Sequence, residues 1–245
     1  MTIISTIIPV RNGAEYIPDA LASISRQSIL PDEILVVDDG STDNTVDVVY
    51  KISKSNPAIQ LLEGPQKGPG PARNVALKKA RGDIITFLDA DDLWPADKMQ
   101  IQLTRLKNEP HVDVVSGFVR YFDQLCKDTL APAEDSRTND IFHVHLGAAV
   151  FRRSVFDKLG QFHEDMLYSE DVDLILKIRE SDFPMTILKH ITLYYRRHEN
   201  AMTAKMTRDE SKSFNMAILR SMMRRRAAGI SEPFTPFSSL IEDVK

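Results

Sequence analysis

The chain reads as an α/β protein built on a mostly parallel sheet flanked by helices, with a helical extension at its carboxyl end. Three observations predict this. Residues 1–95 alternate short aliphatic, β-branched runs with segments of helical spacing, the sequence form of repeated strand–helix units. Two of those runs stop abruptly at carboxylates, Val36-Val37-Asp38-Asp39 and Phe87-Leu88-Asp89, and a parallel sheet collects ligands at the carboxyl ends of its strands. From Ala201 onward the pattern turns basic and helical.

The elements follow in order. Ile3 to Val10 is a strand, and Tyr16, Ile17, Ala20, Leu21 and Ile24 then share one helical face. Glu33 to Val37 is a strand of the fully buried kind. Ser41-Thr42-Asp43 supplies capping residues for a second helix with Val46, Val49 and Tyr50 on one face. Ile59 to Leu62 is the third strand. The stretch Gly64 to Pro71 reads as a loop, since its glycines and prolines break regular structure, and a helix from Ala72 stops at Gly82. A fourth strand ends in Asp89, and a helix starts near Pro95. Val112 to Phe122 is a strand, and Asp123 to Asp140 reads as a mobile polar loop, the longest of the chain. Phe151 to Leu159 is a short helix closed by Gly160, Glu170 to Glu180 a helix, and Met185 to Tyr195 a strand.

Composition bounds the function. A chain of 245 residues can bury a large core, and its net charge of -4 argues against a wholly basic nucleic-acid binder, so no nucleic-acid partner is expected. The single cysteine, Cys126, excludes a disulfide framework and reads as an incidental thiol, which fits a reducing cytoplasm. The amino terminus lacks the basic region and cleavage site of a secretory signal, and no run approaches the roughly 18 apolar residues of a membrane span. A cytoplasmic location is expected, with peripheral placement at the inner face of the membrane as a further option.

The acidic cluster Asp89-Ala90-Asp91-Asp92 is a place to hold a divalent cation, Mn²⁺ or Mg²⁺. In an extended segment Asp89 and Asp91, at i and i+2, face one pocket, and hard cations take oxygen ligands together with substrate phosphates. The alternative is an acidic turn capping the next helix. Asp38 and Asp39, at the tip of a buried strand, can accept from a base N–H or a ribose hydroxyl, or merely cap a helix. Lys67 to Asn74 places glycines and Arg73 at a helix start, suited to a diphosphate, although a surface turn has the same composition. Neither G-x-G-x-x-G nor G-K-[ST] occurs there, which counts against the common dinucleotide and P-loop sites. Tyr168 to Asp173 puts carboxylates at the start of another helix. Trp94 either lines a sugar or acceptor pocket or packs on the sheet.

Together, TIIPVRN, ILVVDDGSTDNT, GPGPARNVALKKARGDIITFLDADD, LYSEDVDLILKIRE and YYRRHENAMT resemble the family 2 glycosyltransferases of the Rossmann-like GT-A fold over roughly residues 3 to 203. The resemblance implies inverting transfer of a sugar from a nucleotide diphosphate donor, a UDP-sugar by preference, to a glycan, lipid-linked or peptide acceptor. It implies a catalytic domain over 1–204, with a nucleotide-sugar half at 1–95 and an acceptor half at 96–204. By its pattern Asp38 and Asp39 bind the base with Pro9 and Asn12 in the adjoining wall, and Arg73 lies near the nucleotide. Asp89 lies near the ribose, and Asp91 holds the metal. His198 closes over the diphosphate or completes the metal shell, making Asp91, Asp89 and His198 the metal group. Asp171 is the general base, with Glu170 the nearer alternative.

Residues 205–245 form a basic helical extension in which Lys205, Arg208, Lys212, Arg220, Arg224, Arg225 and Arg226 outnumber Asp209 and Glu210. Phe214, Ile218 and Met222 repeat at fourfold spacing. Such a helix lies on an anionic membrane, binds a partner, covers the acceptor site, or packs on the core with a solvated basic face. The rival readings are a receiver-like regulatory domain, a nucleotidyltransferase, and a non-catalytic sugar-nucleotide binder.

Overall fold

The amino-terminal strands are sorted by their own alternation. In β1 (Ile4–Val10) and β2 (Glu33–Asp38), Ile8, Val10, Ile34 and Val36 face one apolar layer, and Ile7, Leu35 and Val37 face the other. Helices α1 (Ile17–Ser25) and α2 (Thr45–Ser53) cover the first layer. The second lies under α3 (Pro69–Lys79), which follows β3 (Ile59–Glu63). β4 (Ile84–Phe87) pairs in parallel with β1, and α4 (Lys98–Asn108) follows it on the α1 side. The computed structural model describes residues 2–142, 145–181, 183–202 and 208–244, without the side chains of 208–210. Thr203 and Lys205, which belong to the sequence expectations, lie outside the described residues.

The second half completes the same sheet. β5 (Val114–Phe122) leads to a small hairpin of β6 (Leu125–Cys126) and β7 (Ala131–Pro132), and β8 (Asn139–Ile141) pairs back onto β5. β9 (Val150–Arg152) runs antiparallel between β4 and β5, followed by α5 (Arg153–Leu159), α6 (Glu170–Arg179) and β10 (Met185–Arg196). α7 (Arg208–Ala227) and a short β11 (Ile241–Glu242) end the chain. The strand order is β11-β10-β5-β9-β4-β1-β2-β3, so one sheet spans both halves and most of its pairings are parallel.

Several boundaries differ from the sequence expectation for identifiable reasons. α3 begins at Pro69 rather than Ala72, because Pro69 and Pro71 occupy the first turn, where a missing N–H leaves nothing unpaired. Helix α2 begins at Thr45, since Ser41 and Asp43 bond the Asn12–Ala14 loop instead of capping a helix at once. The expected polar loop at 123–140 holds a hairpin and a strand, fastened by Arg120 to Asp140 and by Asp123 to Ser136 and Arg137. Phe151 lies in β9, not in a helix, and makes edge contacts with Phe87 and Phe156. The extension is α-helical as far as Ala227; beyond it a 3-10 turn at Phe237–Leu240 leads back to the sheet, where β11 pairs with β10 and Glu242 bonds Arg105.

Candidate active site

A cleft of about 1440 Å³ opens over the carboxyl ends of β1, β2 and β4. Pro9, Asn12, Asp39, Arg73, Asp89, Asp91, Glu170, Asp171 and His198 all line it. Asp38 is not among the lining residues. Its Oδ2 accepts from the N–H of Ser41 at 3.2 Å, and its Oδ1 is buried without a partner. Of the two carboxylates, Asp39 is the one that lines the cleft.

Local hydrogen bonds build the amino-terminal wall. Asn12 has a left-handed backbone (φ 53), and its Oδ1 accepts from Thr42 N at 2.7 Å. Asp39, buried, accepts from the N–H groups of Gln66 and Gly68, each at 2.7 Å. The carboxylate thereby fixes the 64–68 turn while keeping lone pairs for a ligand. Gly68 adopts φ 100, where a side chain is strained, and a Cβ at Gly64 would meet Asp39 Oδ1 at 2.8 Å.

Arg73 is not a free cation. It is 4% exposed; Nη1 donates to Glu170 at 2.5 Å and Nη2 to Asp89 at 2.6 Å. Burial opposes its charge, but the two carboxylates hold the guanidinium protonated. Asp89 in turn is held below the usual carboxylate range: burial pushes it up, and Arg73 outweighs that. Arg73 is thus a rivet between the β4 end and α6, and Glu170 is consumed as its counter-ion.

Asp171 is placed differently. Half-buried in the cleft wall, it accepts from the N–H of Val172 at 2.7 Å and has no ion pair among the described residues. Burial raises its carboxyl above the ordinary value, with Asp89 adding to the effect and Arg73 opposing it. Ser169 introduces α6 in the left-handed conformation (φ 60, ψ 21), strain of the kind that persists where the surroundings dictate it. The turn of chain it creates delivers Glu170 to Arg73 and Asp171 to the cleft.

The acidic cluster is a turn rather than an extended segment, with Asp92 N donating to Asp89 O at 3.2 Å. Asp89 and Asp91 face the same cleft, as expected, but from a turn and with different partners. Asp91 Oδ2 lies 3.0 Å from His198 Nε2, whose ring stacks on Tyr16 at 4.3 Å. Two ligands about 2.1 Å from an octahedral cation, at right angles, stand about 3 Å apart, so this pair fits a shared ion.

On the other flank, ligand atoms of Asp89, Asp92 and His145 all lie within 4.8 Å of one another. Asp92 is buried; Oδ1 accepts from Arg196 N at 3.0 Å while Oδ2 has no partner, an orphan that a cation would satisfy. Burial, and then Asp91 and Asp89, push its carboxyl well up. His145 accepts from Gly147 N through Nδ1, which leaves Nε2 toward the carboxylates. Burial pushes its pKa down, favouring the neutral, ligating form. Sequence reasoning counted Asp92 in the acidic cluster without assigning it to the metal group and missed His145 altogether; His145 stands far from every motif, in a stretch with no periodic signal.

Trp94 is buried and does not line the cleft. Its Nε1 donates to Gly147 O at 3.1 Å, so it holds the strap that carries His145. Gln102 and Thr192 bond Ala148 O in the same strap. Cys126 lies on the β6–β7 hairpin, away from the cleft.

The strand-end cleft with its carboxylate and histidine cluster defines a GT-A protein. Residues 5–160 match the model of Glycosyl transferase family 2, well over half of the chain, and the chain belongs to that family. It is 37% identical over 202 residues to the poly(ribitol-phosphate) beta-N-acetylglucosaminyltransferase TarS of Staphylococcus aureus, covering 78% of this chain and 35% of that protein. It is 42% identical over 108 residues to the UDP-Glc:alpha-D-GlcNAc-diphosphoundecaprenol beta-1,3-glucosyltransferase WfgD of Escherichia coli, 43% of this chain and 42% of that one. The chain therefore spans less than half the length of these two relatives. TarS 1–349 in complex with UDP-GlcNAc shares the fold with a TM-score of 0.69 at 23% identity, over 89% of this chain and 66% of that one. So does the mannosyltransferase PcManGT of Pyrobaculum calidifontis in complex with GDP-Man and Mn²⁺, at 0.61 and 22% identity, over 96% and 66%.

Proposed function

We propose that the protein transfers a sugar from a nucleotide diphosphate donor, preferentially a UDP-sugar, to an acceptor hydroxyl with inversion. The observation that carries this reading is the separation of roles between Glu170 and Asp171: one is locked on Arg73, the other faces the cleft without a counter-ion. Asp171 takes the proton of the acceptor hydroxyl as it attacks the anomeric carbon from the face opposite the leaving diphosphate. Asp39, with Pro9 and Asn12, receives the nucleoside. Asp91 and His198, flanked by Asp89, Asp92 and His145, would hold Mn²⁺ or Mg²⁺. A cation bound there supplies charge stabilisation for the leaving diphosphate. Residues 1–95 serve the donor and 96–204 the acceptor, a glycan or a lipid- or peptide-linked sugar. The UDP-GlcNAc bound to TarS and the UDP-Glc in the name of WfgD support a nucleotide-sugar donor, and the poly(ribitol-phosphate) and GlcNAc-diphosphoundecaprenol in the two names support a phosphate-bearing acceptor. One cysteine and no disulfide pairing support a reducing, cytoplasmic setting.

Calorimetric titration of UDP and UDP-GlcNAc, with Mn²⁺ and with chelator, tests the reading. Binding should weaken at least about tenfold without metal, and Asp91→Asn should abolish that difference. Equal affinity with and without chelator would remove the metal from the mechanism. Binding with no release of UDP across an acceptor panel would leave a sugar-nucleotide binder rather than a transferase.

A further inference from the structure

Helix α7 buries small and ion-paired side chains rather than its largest apolar ones. Its inward face carries Ala217 and Ser221, both buried, and Arg220 and Arg224. These arginines pair with Asp165 at 2.5 Å and with Asp173 and Glu180 at 2.9 and 2.5 Å, fastening the helix to α6 and its approach. The outward face carries the large apolar side chains. Leu219 is 59% exposed, Met222 63%, Met223 66% and Met216 41%. At 100° per residue these four fall on one side of the helix, together with Lys212 and Arg226. A helix attached through ions and small residues, with its leucine and methionines in water, is arranged for something outside the molecule.

Charge identifies the occupant. Arg220 and Arg224 are neutralised by their inward ion pairs and Arg225 lies over Phe234, so the outer face carries Lys212 and Arg226, with no acidic residue between Ser211 and Ser231. Met222, Arg225, Arg226 and Ile230 border one shallow recess, so cationic and apolar atoms adjoin there. A second copy of the chain would bring these cations onto themselves across a two-fold axis. An anionic lipid surface accepts both the cations and the apolar strip, and unbranched methionines adapt to a fluid partner. Phe214, one turn before Ile218 on the same helix, lines the cleft together with Leu167 and Met202.

We propose that the outer face of α7, formed by Met216, Leu219, Met222 and Met223 with Lys212 and Arg226, docks the protein on an anionic bilayer. No helix among the described residues is long and apolar enough to cross a membrane, so the contact is peripheral. The docking does not rest on the transferase reading.

Co-sedimentation of the full chain with phosphatidylcholine vesicles, with and without phosphatidylglycerol, is the test. The protein should partition onto the anionic vesicles, with a loss of at least about tenfold on raising salt. A similar loss is expected for Leu219→Gln, Met222→Gln and Met223→Gln combined, and for Lys212→Gln with Arg226→Gln. UDP titration of each variant should match the wild type, which establishes an intact fold and keeps this result separate from the donor reading. Absence of binding to anionic vesicles, or binding that survives the triple substitution, overturns the proposal. So does a dimer, seen by light scattering, that the triple substitution splits, since a second copy would then be the occupant.

Discussion

On the amino-terminal side of the cleft the protein already occupies its own polar groups. Asp39 holds two backbone N–H groups, Asn12 holds Thr42, Asp43 holds Ala14 and Thr45, and Arg73 holds two carboxylates. On the facing side, Asp171 bonds only the N–H of its neighbour, and Arg197 lies over the ring of Tyr121 at 4.8 Å with no carboxylate partner among the described residues. The difference is one of task. A wall whose groups are fixed before the ligand arrives loses little entropy on binding and holds one shape. The opposite wall keeps groups uncommitted, and uncommitted groups are the ones able to take a proton or meet a varied acceptor.

Asp171→Asn is the strongest attempt to break this contrast. Loss of a general base should lower turnover by about 10²- to 10⁴-fold while UDP affinity, measured by calorimetry, stays within about twofold. Glu170→Gln should instead lower the unfolding free energy, because it weakens the partner of Arg73. A Glu170→Gln protein of wild-type stability with the larger kinetic loss would exchange the two roles. The pH profile sharpens the same point. Burial raises the Asp171 carboxyl, so the ionised base is present above that raised value and lost as pH falls through it. The acid limb of kcat/KM should therefore lie above the ordinary aspartate value of about 3.9. UDP affinity over the same range separates this limb from protonation of the metal ligands.

Arg73→Met addresses the committed wall. It leaves Glu170 and Asp89 facing a buried site without their cation, and breaking such a pair costs about 3–5 kcal/mol. Urea unfolding should show the loss. Arg73→Lys should recover only part of it, since one ammonium cannot serve both carboxylates in the guanidinium geometry. A Met variant within about 1 kcal/mol of wild type would mean that solvent, not Arg73, balances the two acids.

The same contrast governs what the sequence made legible. β1, β2, β4 and the carboxylates after them were readable because short periodicity and strand-end position are local signals. That Glu170 and Asp171 open a helix was readable, but which of them pairs with Arg73, distant in the chain, was not. Asp38 and Asp39 look equivalent in sequence, and only the 64–68 turn distinguishes them, by donating to one. His145 and β9 were invisible: three strand residues and a lone histidine carry no period, and their placement comes from the partners around them. For α7 the fourfold spacing of Phe214, Ile218 and Met222 marked an amphipathic helix but left open which face turns inward. Ion pairs to Asp165, Asp173 and Glu180 decide it, and no local rule reports partners on other elements.

Trp94→Phe gives the smallest expected effect and tests whether the strap at 145–149 is scaffold or machinery. Phenylalanine keeps most of the apolar volume and an aromatic face for Lys98, whose Nζ lies 4.4 Å from the ring centre, but removes the Nε1 donor to Gly147 O. The carbonyl is then buried with one bond fewer, a loss of about 1 kcal/mol. Ala148 O remains bonded by Gln102 and Thr192, and Ala149 O by Thr86, so the strap should hold its course and keep His145 beside Asp89. Thermal melting should record the small loss, with turnover and metal-dependent UDP affinity within about twofold of wild type. If metal-dependent affinity drops by about tenfold while stability barely moves, the indole is setting the position of His145, and the cation site extends from Asp91 and His198 across to the Asp89–Asp92–His145 group.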